Sequence, residues 1–207
     1  MFVGAASDIG VVRTANQDSL FISNDPSLRL YIIADGMGGH KAGELASSMA
    51  VDSIAAYLDR VKQTLTSEVK AQNAVVESIS IANEAIFNRS CEDPDCSGMG
   101  TTVTMAFVFK SKLIIGHVGD SRAYILRDGG IAQLTEDHSL VNQLIREGKI
   151  TRQDAVNHPQ RNVITRAVGT SSDIEVDTLI IKPAKDDIII LCSDGLSNMV
   201  GDIELLS

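Results

Sequence analysis

The stretch that decides the fold is residues 30–40, with the sequence Leu-Tyr-Ile-Ile-Ala-Asp-Gly-Met-Gly-Gly-His. An apolar run stops here at an acid and a cluster of glycines, which is typical of a buried strand that delivers Asp35 to the edge of a sheet. Three glycines in four positions let the backbone turn sharply and approach a bound ion or phosphate, because no Cβ stands in the way. From Ala42 onward the apolar residues follow helical spacing.

Two further acids stand in similar settings. Residues 187–195 are an apolar run that ends at Asp194 and Gly195, and Asp120 follows a third apolar run between glycine-rich turns. Asp128 is different because apolar segments flank it on both sides, so it is predicted to be only a hairpin residue. Three convergent carboxylates favour hard divalent cations, Mg²⁺ or Mn²⁺, over zinc.

The composition of the 207-residue chain bounds its class. A hydrophobic content of 44% with 22% charged residues is ordinary for one globular domain, which at this length buries roughly 70% of the surface of the unfolded chain. The formal net charge of −9 disfavours nucleic acid as the main partner, since no basic stripe is present to replace its counterions. No apolar run is long enough for a membrane span and no signal-peptide pattern opens the chain, so a cytoplasmic location is expected.

The three cysteines agree with a reducing compartment. Cys192 lies in an apolar run, and Cys91 and Cys96 share one polar loop. Free thiols are the favoured interpretation. A zinc site formed by Cys91 and Cys96 is the weaker alternative, because no second Cys or His pair stands nearby.

The periodicities predict an α+β domain, with helices in pairs beside runs of antiparallel strands. Strands are expected at residues 2–6, 20–22, 28–34, 101–109, 112–118, 122–127, 131–135, 174–181 and 186–192. Helices are expected from residue 42 over about five turns and at 67–88, 139–147, 151–156 and 202–206. The four strands between residues 101 and 135 are short and closely spaced, as in an antiparallel meander.

Six motifs in a fixed order resemble those of the metal-dependent protein phosphatases, the type 2C serine/threonine phosphatases, in their short bacterial form. They lie at residues 13–18, 35–40, 100–102, 116–122, 134–139 and 193–196. The resemblance implies a four-layer α-β-β-α sandwich in which two antiparallel sheets, flanked by helix pairs, carry a two-metal site at one end. It also implies hydrolysis of phosphoserine and phosphothreonine by a water that two metal ions activate, so that no protein nucleophile is needed.

The resemblance assigns the metal ligands residue by residue. Asp35 bridges two Mn²⁺ or Mg²⁺ ions, the Gly36 carbonyl coordinates one of them, and Asp194 binds the other. Asp120 joins Asp194 in a weaker third site.

The resemblance also assigns residues around the metals. Asp18 with Asn16 holds metal-bound waters, and Arg13 grips the phosphate oxygens with its planar fork. His40 is the general acid that protonates the leaving serine or threonine oxygen. Arg161 lies in a flap at residues 139–169 as a candidate substrate contact, although an ordinary surface charge is an equally good interpretation of it.

The implied partners are phosphorylated proteins and a bacterial serine/threonine kinase. A phosphate-cradle nucleotide enzyme is disfavoured because Lys41 is followed by Ala42 where a Ser or Thr is required. A cysteine phosphatase is excluded because no Cys has an arginine six positions later.

The serious alternative is a catalytically impaired phosphoprotein-binding or regulatory module of the same fold. The family's final Asp-Asn motif is not found in this sequence, and Asp202 lies too close to Asp194 to replace it. We therefore expect residues 1–207 to be a single phosphatase domain whose C-terminal part is missing, with weakened metal binding. An unpaired sheet edge is expected to favour self-association.

Overall fold

A computed structural model describes residues 2–11 and 13–206, with only the backbone of His40. Its strands are β1 (Asp18–Ile22), β2 (Leu30–Met37), β3 (Gly100–Thr101), β4 (Val103–Phe109), β5 (Lys112–Val118), β6 (Arg122–Arg127), β7 (Gly130–Gln133), β8 (Asp177–Ile181) and β9 (Ile188–Cys192). Its helices are α1 (His40–Val61), α2 (Glu68–Glu92), α3 (Leu140–Arg146), α4 (Arg152–Val156), α5 (Asp194–Ser197) and α6 (Asp202–Leu205), with 3₁₀ turns at Lys62–Thr64 and Pro94–Cys96.

The described strands form two antiparallel sheets. The larger has the order β1-β2-β4-β5-β8, with β3 paired to the end of β2, and the smaller has the order β7-β6-β9. The chain crosses from the larger to the smaller sheet between β5 and β6, through a turn that includes Gly119 at φ 112°. That conformation strongly favours glycine, so Gly119 permits the turn at the crossing point.

Side-chain alternation along β2 separates two cores. Leu30, Ile32 and Ala34 are buried in a large core shared with α1 and α2. Tyr31 points the other way, against a smaller core between the two sheets. Because successive strand residues alternate in direction, Asp35 belongs to the intersheet face.

The two long helices cover the outer face of the larger sheet. α1 packs on β2, α2 packs on β5, and the two helices pack on each other. Ser67 caps α2 by accepting a hydrogen bond from the backbone N–H of Lys70 at 3.2 Å, which satisfies one of the helix's free N–H groups. Truncating a fully buried residue of this core such as Leu58 is expected to cost about 2–5 kcal/mol.

The predicted α+β class, with two antiparallel sheets and helices, is confirmed. The strand predicted at residues 2–6 is wrong, since that segment is irregular and exposed; Gly4 and the alanines after it have little β propensity to offset Phe2 and Val3. The single meander is also wrong, because β6 pairs with β7 and β9 rather than with β5. Asp128 is confirmed as a hairpin residue, in the left-handed region at φ 51°.

The three cysteines are free, as predicted, with Cys91 exposed and both Cys96 and Cys192 buried. Within residues 2–11 and 13–206, no helix is long and apolar enough to cross a bilayer.

Candidate active site

The first two strands bring two carboxylates together. Asp18 of β1 lies directly opposite Asp35 of β2 in the antiparallel register. Opposed residues of such a pair project from the same face of the sheet, and like charges placed this way are destabilising. β2 continues two residues beyond Asp35 because Gly36 and Met37 pair with β3.

Two further carboxylates reach the same end of the sandwich from other elements. Asp194 is the first residue of α5, one residue beyond the end of β9 of the smaller sheet, and it accepts a hydrogen bond from Asn198 Nδ2 at 3.1 Å. Asp120 lies in the turn where the chain passes between the sheets. The site therefore draws its acids from both sheets.

The charges of these acids act on one another. Burial, and then the charges of Asp18, Asp194 and Asp120, raise the pKa of Asp35 to about 8. The pKa of Asp120 rises to about 6, mainly by burial and next by the charge of Asp194. Carboxylates that repel one another in a partly buried site are stabilised by a hard cation, so the donor chemistry fits Mg²⁺ or Mn²⁺.

The arrangement is a cluster rather than a closed coordination shell. Among the described residues, no three His, Cys, Asp or Glu side chains converge on one point that a metal ion could fill as they stand. The fit to a divalent cation rests on the four oxygen donors and their mutual repulsion.

Two threonines fix the backbone of Asp35. The Asp35 N–H donates to Thr102 Oγ1 at 2.9 Å, and its carbonyl accepts from both the Thr102 N–H and the Thr101 hydroxyl, each at 2.9 Å. The Thr102 hydroxyl also lies 2.7 Å from Ser121 Oγ, next to Asp120. One buried network thus links the chain segments that carry two of the four acids.

Gly36 allows α1 to lie directly against β2. A Cβ built on Gly36 would stand 1.9 Å from the Gly43 carbonyl oxygen, and one built on Gly43 would stand 2.2 Å from Gln17 Nε2. Any side chain at Gly36 would therefore push the helix away from the strand. The role of the Gly36 carbonyl as a ligand stays a prediction.

Arg13 is exposed and lines a cleft of about 520 Å³ together with Asp18, Asp35 and Asp194. Its Nη1 lies 3.5 Å from Gln17 Oε1, and Gln17 Nε2 donates to the Gly39 carbonyl at 2.9 Å. Arg13 thus lies at the same cleft as the acids, and its contact with phosphate stays a prediction.

Asn16 is used by the chain itself. Its Oδ1 accepts from the Asp18 N–H at 3.1 Å, and its Nδ2 donates to Ser7 Oγ at 2.7 Å. These bonds position the backbone of Asp18. Its predicted contact with metal-bound water stays a prediction.

Two predicted site residues remain, His40 and Arg161. His40 begins α1, two residues after the positive-φ Gly38, and its side chain lies outside the described part of the structure. Arg161 is exposed on the wall of a second cavity of about 850 Å³, whose other walls include Asp120 and Asp194.

Sequence reasoning did not assign a role to Ser193. Its hydroxyl donates to Asp18 Oδ2 at 2.9 Å, which joins the end of β9 to the outer strand of the other sheet. Ser193 and the two threonines all lie inside the recognised motifs, so the available signal was their position beside glycine and aspartate.

The comparisons with known proteins agree with this fold. The family model described as Protein phosphatase 2C matches residues 11–206. The serine/threonine phosphatase stp of Listeria welshimeri is 40% identical over 200 residues, which cover 96% of this chain and 79% of that protein.

Two solved structures are similar throughout. The crystal structure of the Mycobacterium tuberculosis serine/threonine phosphatase PstP/Ppp has a TM-score of 0.87 at 37% identity, covering 97% of this chain and 81% of that one. A structure of the catalytic domain of PstP in complex with two manganese ions has a TM-score of 0.79 at 36% identity, covering 97% and 80%.

A cluster of carboxylates where two antiparallel sheets meet suits a metal-dependent hydrolase. The family match and the relatives make the assignment specific: this chain belongs to the protein phosphatase 2C family. The predicted class, a metal-dependent serine/threonine protein phosphatase that acts on phosphorylated proteins, is thereby confirmed.

Proposed function

We propose that this chain removes phosphate from phosphoserine and phosphothreonine with Asp35, Asp194 and the Gly36 carbonyl as ligands of two Mn²⁺ or Mg²⁺ ions. The observation that supports this is the cluster of four carboxylates from both sheets, with Asp35 partly buried among the others. Bound there, two divalent cations would supply Lewis acidity and a water acidic enough to attack phosphorus at neutral pH.

The surrounding residues of the chain have distinct tasks in this proposal. Asp120 holds a third, weaker ion with Asp194, and Asp18 orients water at the metal site while Ser193 fixes its carboxylate. Arg13 binds the phosphate oxygens from the mouth of the cleft. His40 protonates the leaving oxygen.

The flap side of the site is proposed to hold the polypeptide part of the substrate. Arg161 and Asp194 line the same cavity, so a phosphorylated residue at the acids leaves neighbouring peptide residues within that cavity. A serine/threonine kinase that makes these substrates, and a cytoplasmic location, are part of the same proposal and rest on the sequence motifs and composition.

Self-association through a sheet edge is a further part of the proposal. β1 and β9 are edge strands of their sheets in the described residues, and Leu20 and Ile188 on them are 41% and 56% exposed. Exposed edges of this kind pair readily with another chain. Light scattering over a range of protein concentrations tests it, and a monomer at every concentration would contradict it.

The decisive experiment replaces Asp35 by its uncharged isostere. Asp35→Asn is expected to lower phosphate release from a phosphothreonine peptide by about 100-fold or more, because a preorganised charge is removed from the site. Calorimetric titration with Mn²⁺ should show a parallel loss of binding. The matched control is Asp128→Asn, which changes the same kind of dipeptide in a hairpin and should leave both measurements unchanged.

The same experiment separates the enzyme from a binding module. A parent chain that binds the phosphopeptide in the presence of Mn²⁺ and releases no phosphate would support the regulatory alternative. Undiminished phosphate release by Asp35→Asn would overturn the metal assignment.

A further inference from the structure

His138 makes a two-point contact with the turn that carries Asp120. Its backbone N–H donates to the Gly119 carbonyl at 2.7 Å, and the Gly119 N–H donates to His138 Nδ1 at 3.0 Å. Gly119 has a φ of 112°, and a Cβ there would stand 2.6 Å from the Thr102 side chain. Both hydrogen-bonding groups of this constrained glycine are therefore held by one residue.

The hydrogen bonds fix the protonation of the His138 ring. Because Nδ1 accepts from Gly119, the ring proton must lie on Nε2, which donates to Asp177 Oδ2 at 3.2 Å. Arg166 Nη1 donates to the other oxygen of Asp177 at 2.7 Å. Its approach to Nε2 at 3.0 Å brings two donors together, so Arg166 supports the ring through Asp177. The neutral ring is only 9% exposed, and burial lowers its pKa.

Residues near the C-terminal end of the predicted flap, at 165–168, contact the supports of both Asp120 and Asp35. Thr165 N–H donates to the His138 carbonyl at 2.8 Å. Val168 pairs with Thr101, whose hydroxyl holds the Asp35 carbonyl. The C-terminal end of the flap is therefore hydrogen-bonded to His138, which contacts the turn of Asp120, and to Thr101, which contacts the backbone of Asp35.

We propose that His138 is a positioning residue that fixes the Gly119–Asp120 turn through Nδ1, and that Asp177, itself held by Arg166, keeps the ring in the required orientation. The role of Asp120 in metal binding comes from the proposed function, on which this inference rests. The inference adds a residue that touches neither metal nor substrate. It also predicts that the flap end and the Asp120 site respond to the same substitution.

Two variants of His138 separate the two ring nitrogens. In His138→Asn the side-chain oxygen can take the place of Nδ1 and accept from Gly119. In His138→Gln the side-chain amide reaches the place of Nε2 and leaves the Gly119 N–H without its acceptor. Both variants remove the imidazole from the same buried site, so a general loss of packing affects both. A difference between them in exchange or in metal affinity therefore reports the hydrogen bond from the Gly119 N–H.

The first measurement needs no metal. Amide hydrogen exchange at Gly119, followed by NMR, is expected to be about 10-fold faster or more in His138→Gln than in the parent, and within about threefold of the parent in His138→Asn. Equal exchange in the two variants at equal global stability would overturn the positioning role. Should His138→Gln unfold, Asp177→Asn removes the charge that orients the ring and should accelerate exchange at Gly119 in a folded chain.

The second measurement is Mn²⁺ binding by calorimetry. His138→Gln is expected to lose about 10-fold in affinity at the weakest resolved site, on the scale seen when a residue that orients a ligand is changed, and His138→Asn should keep it. An equal loss in both variants would contradict the inference. If the parent itself bound no Mn²⁺, the proposed function would fail while the Gly119 exchange result still stood as a separate test.

Discussion

The three Asp-Gly pairs of this chain show how surroundings decide what a residue does. Asp128 occupies a hairpin turn in the left-handed region. Asp35 has the same local sequence, but its backbone is held by two threonines and its carboxylate lies among three others, so its pKa is raised to about 8. Asp194 starts a short helix at the end of β9. The dipeptide is common to all three, and the neighbours from distant segments differ.

At the same scale, Arg13 is expected to act on substrate rather than on metal. Arg13→Ala should raise KM for a phosphothreonine peptide by about 10-fold or more, equivalent to at least about 1.4 kcal/mol, because the proposed role of the guanidinium is to bind phosphate oxygens. Arg13→Lys should have a KM between those of the parent and Arg13→Ala, since a point charge replaces the planar guanidinium. Steady-state kinetics with calorimetric Mn²⁺ titration measures both effects.

The control for Arg13 is Arg60→Ala, in the last turn of α1. That arginine stands over the Tyr57 ring at 5.3 Å, and it is separated from the start of the helix by about 30 Å of helix length. The Arg60→Ala variant should therefore leave KM unchanged. A KM for Arg13→Ala that equals the parent's would place the residue outside the phosphate site.

At the scale of elements, periodic segments were predicted well and segments that depend on distant partners were not. α1 and α2 lie within a few residues of their predicted bounds because each carries a long apolar stripe that packs on the sheet. The crossing of β6 into the second sheet depends on the turn at Gly119 and on pairing with β9, more than sixty residues later. Spacing along the sequence does not contain that pairing.

For the candidate site, the sequence pointed to acidic residues but not to the residues that support them. Asp35, Asp120 and Asp194 were singled out because each follows an apolar run beside glycine, whereas Asp18 was proposed only from the resemblance of its motif. The supports were not singled out: Ser193 bonds an acid 175 positions earlier in the chain, and His138 bonds a glycine 19 positions earlier. Such contacts exist only once the two sheets are packed.

β5 carries a buried histidine whose titration should be visible in stability. His117 lies 4.8 Å from the His138 ring, measured between ring centroids, and burial lowers the pKa of His117 from 6.5 to about 4. Below pH 6.5 the unfolded chain binds a proton that the folded chain does not, so stability falls as the pH is lowered from 6.5 to 4. This histidine contributes up to about 3 kcal/mol of that loss.

The comparison with His117→Gln isolates this contribution, because glutamine does not titrate. The variant should be less stable than the parent at pH 7.5, since the ring bonds Thr104 and the Glu136 carbonyl. Urea unfolding from pH 7.5 to 4 should show this difference shrinking. A constant difference between the parent and His117→Gln over this pH range would show that the buried ring does not set this pH dependence.

At the scale of the whole molecule, the site lies where the two sheets are joined. Asp18 and Asp35 come from the larger sheet, Asp194 follows the smaller one, and Asp120 lies in the connection between them. Bringing these acids together opposes folding, because buried like charges repel one another. Function and stability therefore make opposite demands on this end of the sandwich.

That opposition predicts a variant that is more stable and inactive. Near neutral pH, Asp35 must either stay charged beside other acids or take up a proton on folding, and both cost free energy, whereas asparagine avoids both. Without metal, Asp35→Asn should therefore exceed the parent in stability by at least about 1 kcal/mol. Saturating Mn²⁺, at about 100 times the dissociation constant, should stabilise the parent by about 2.7 kcal/mol per site and the variant much less.

Thermal unfolding of parent, Asp35→Asn and the Asp128→Asn control, each with Mn²⁺ and with chelator, measures both effects. A variant that is less stable than the parent in chelator, or that gains as much from Mn²⁺, would show that the repulsion among these carboxylates is not what the metal relieves.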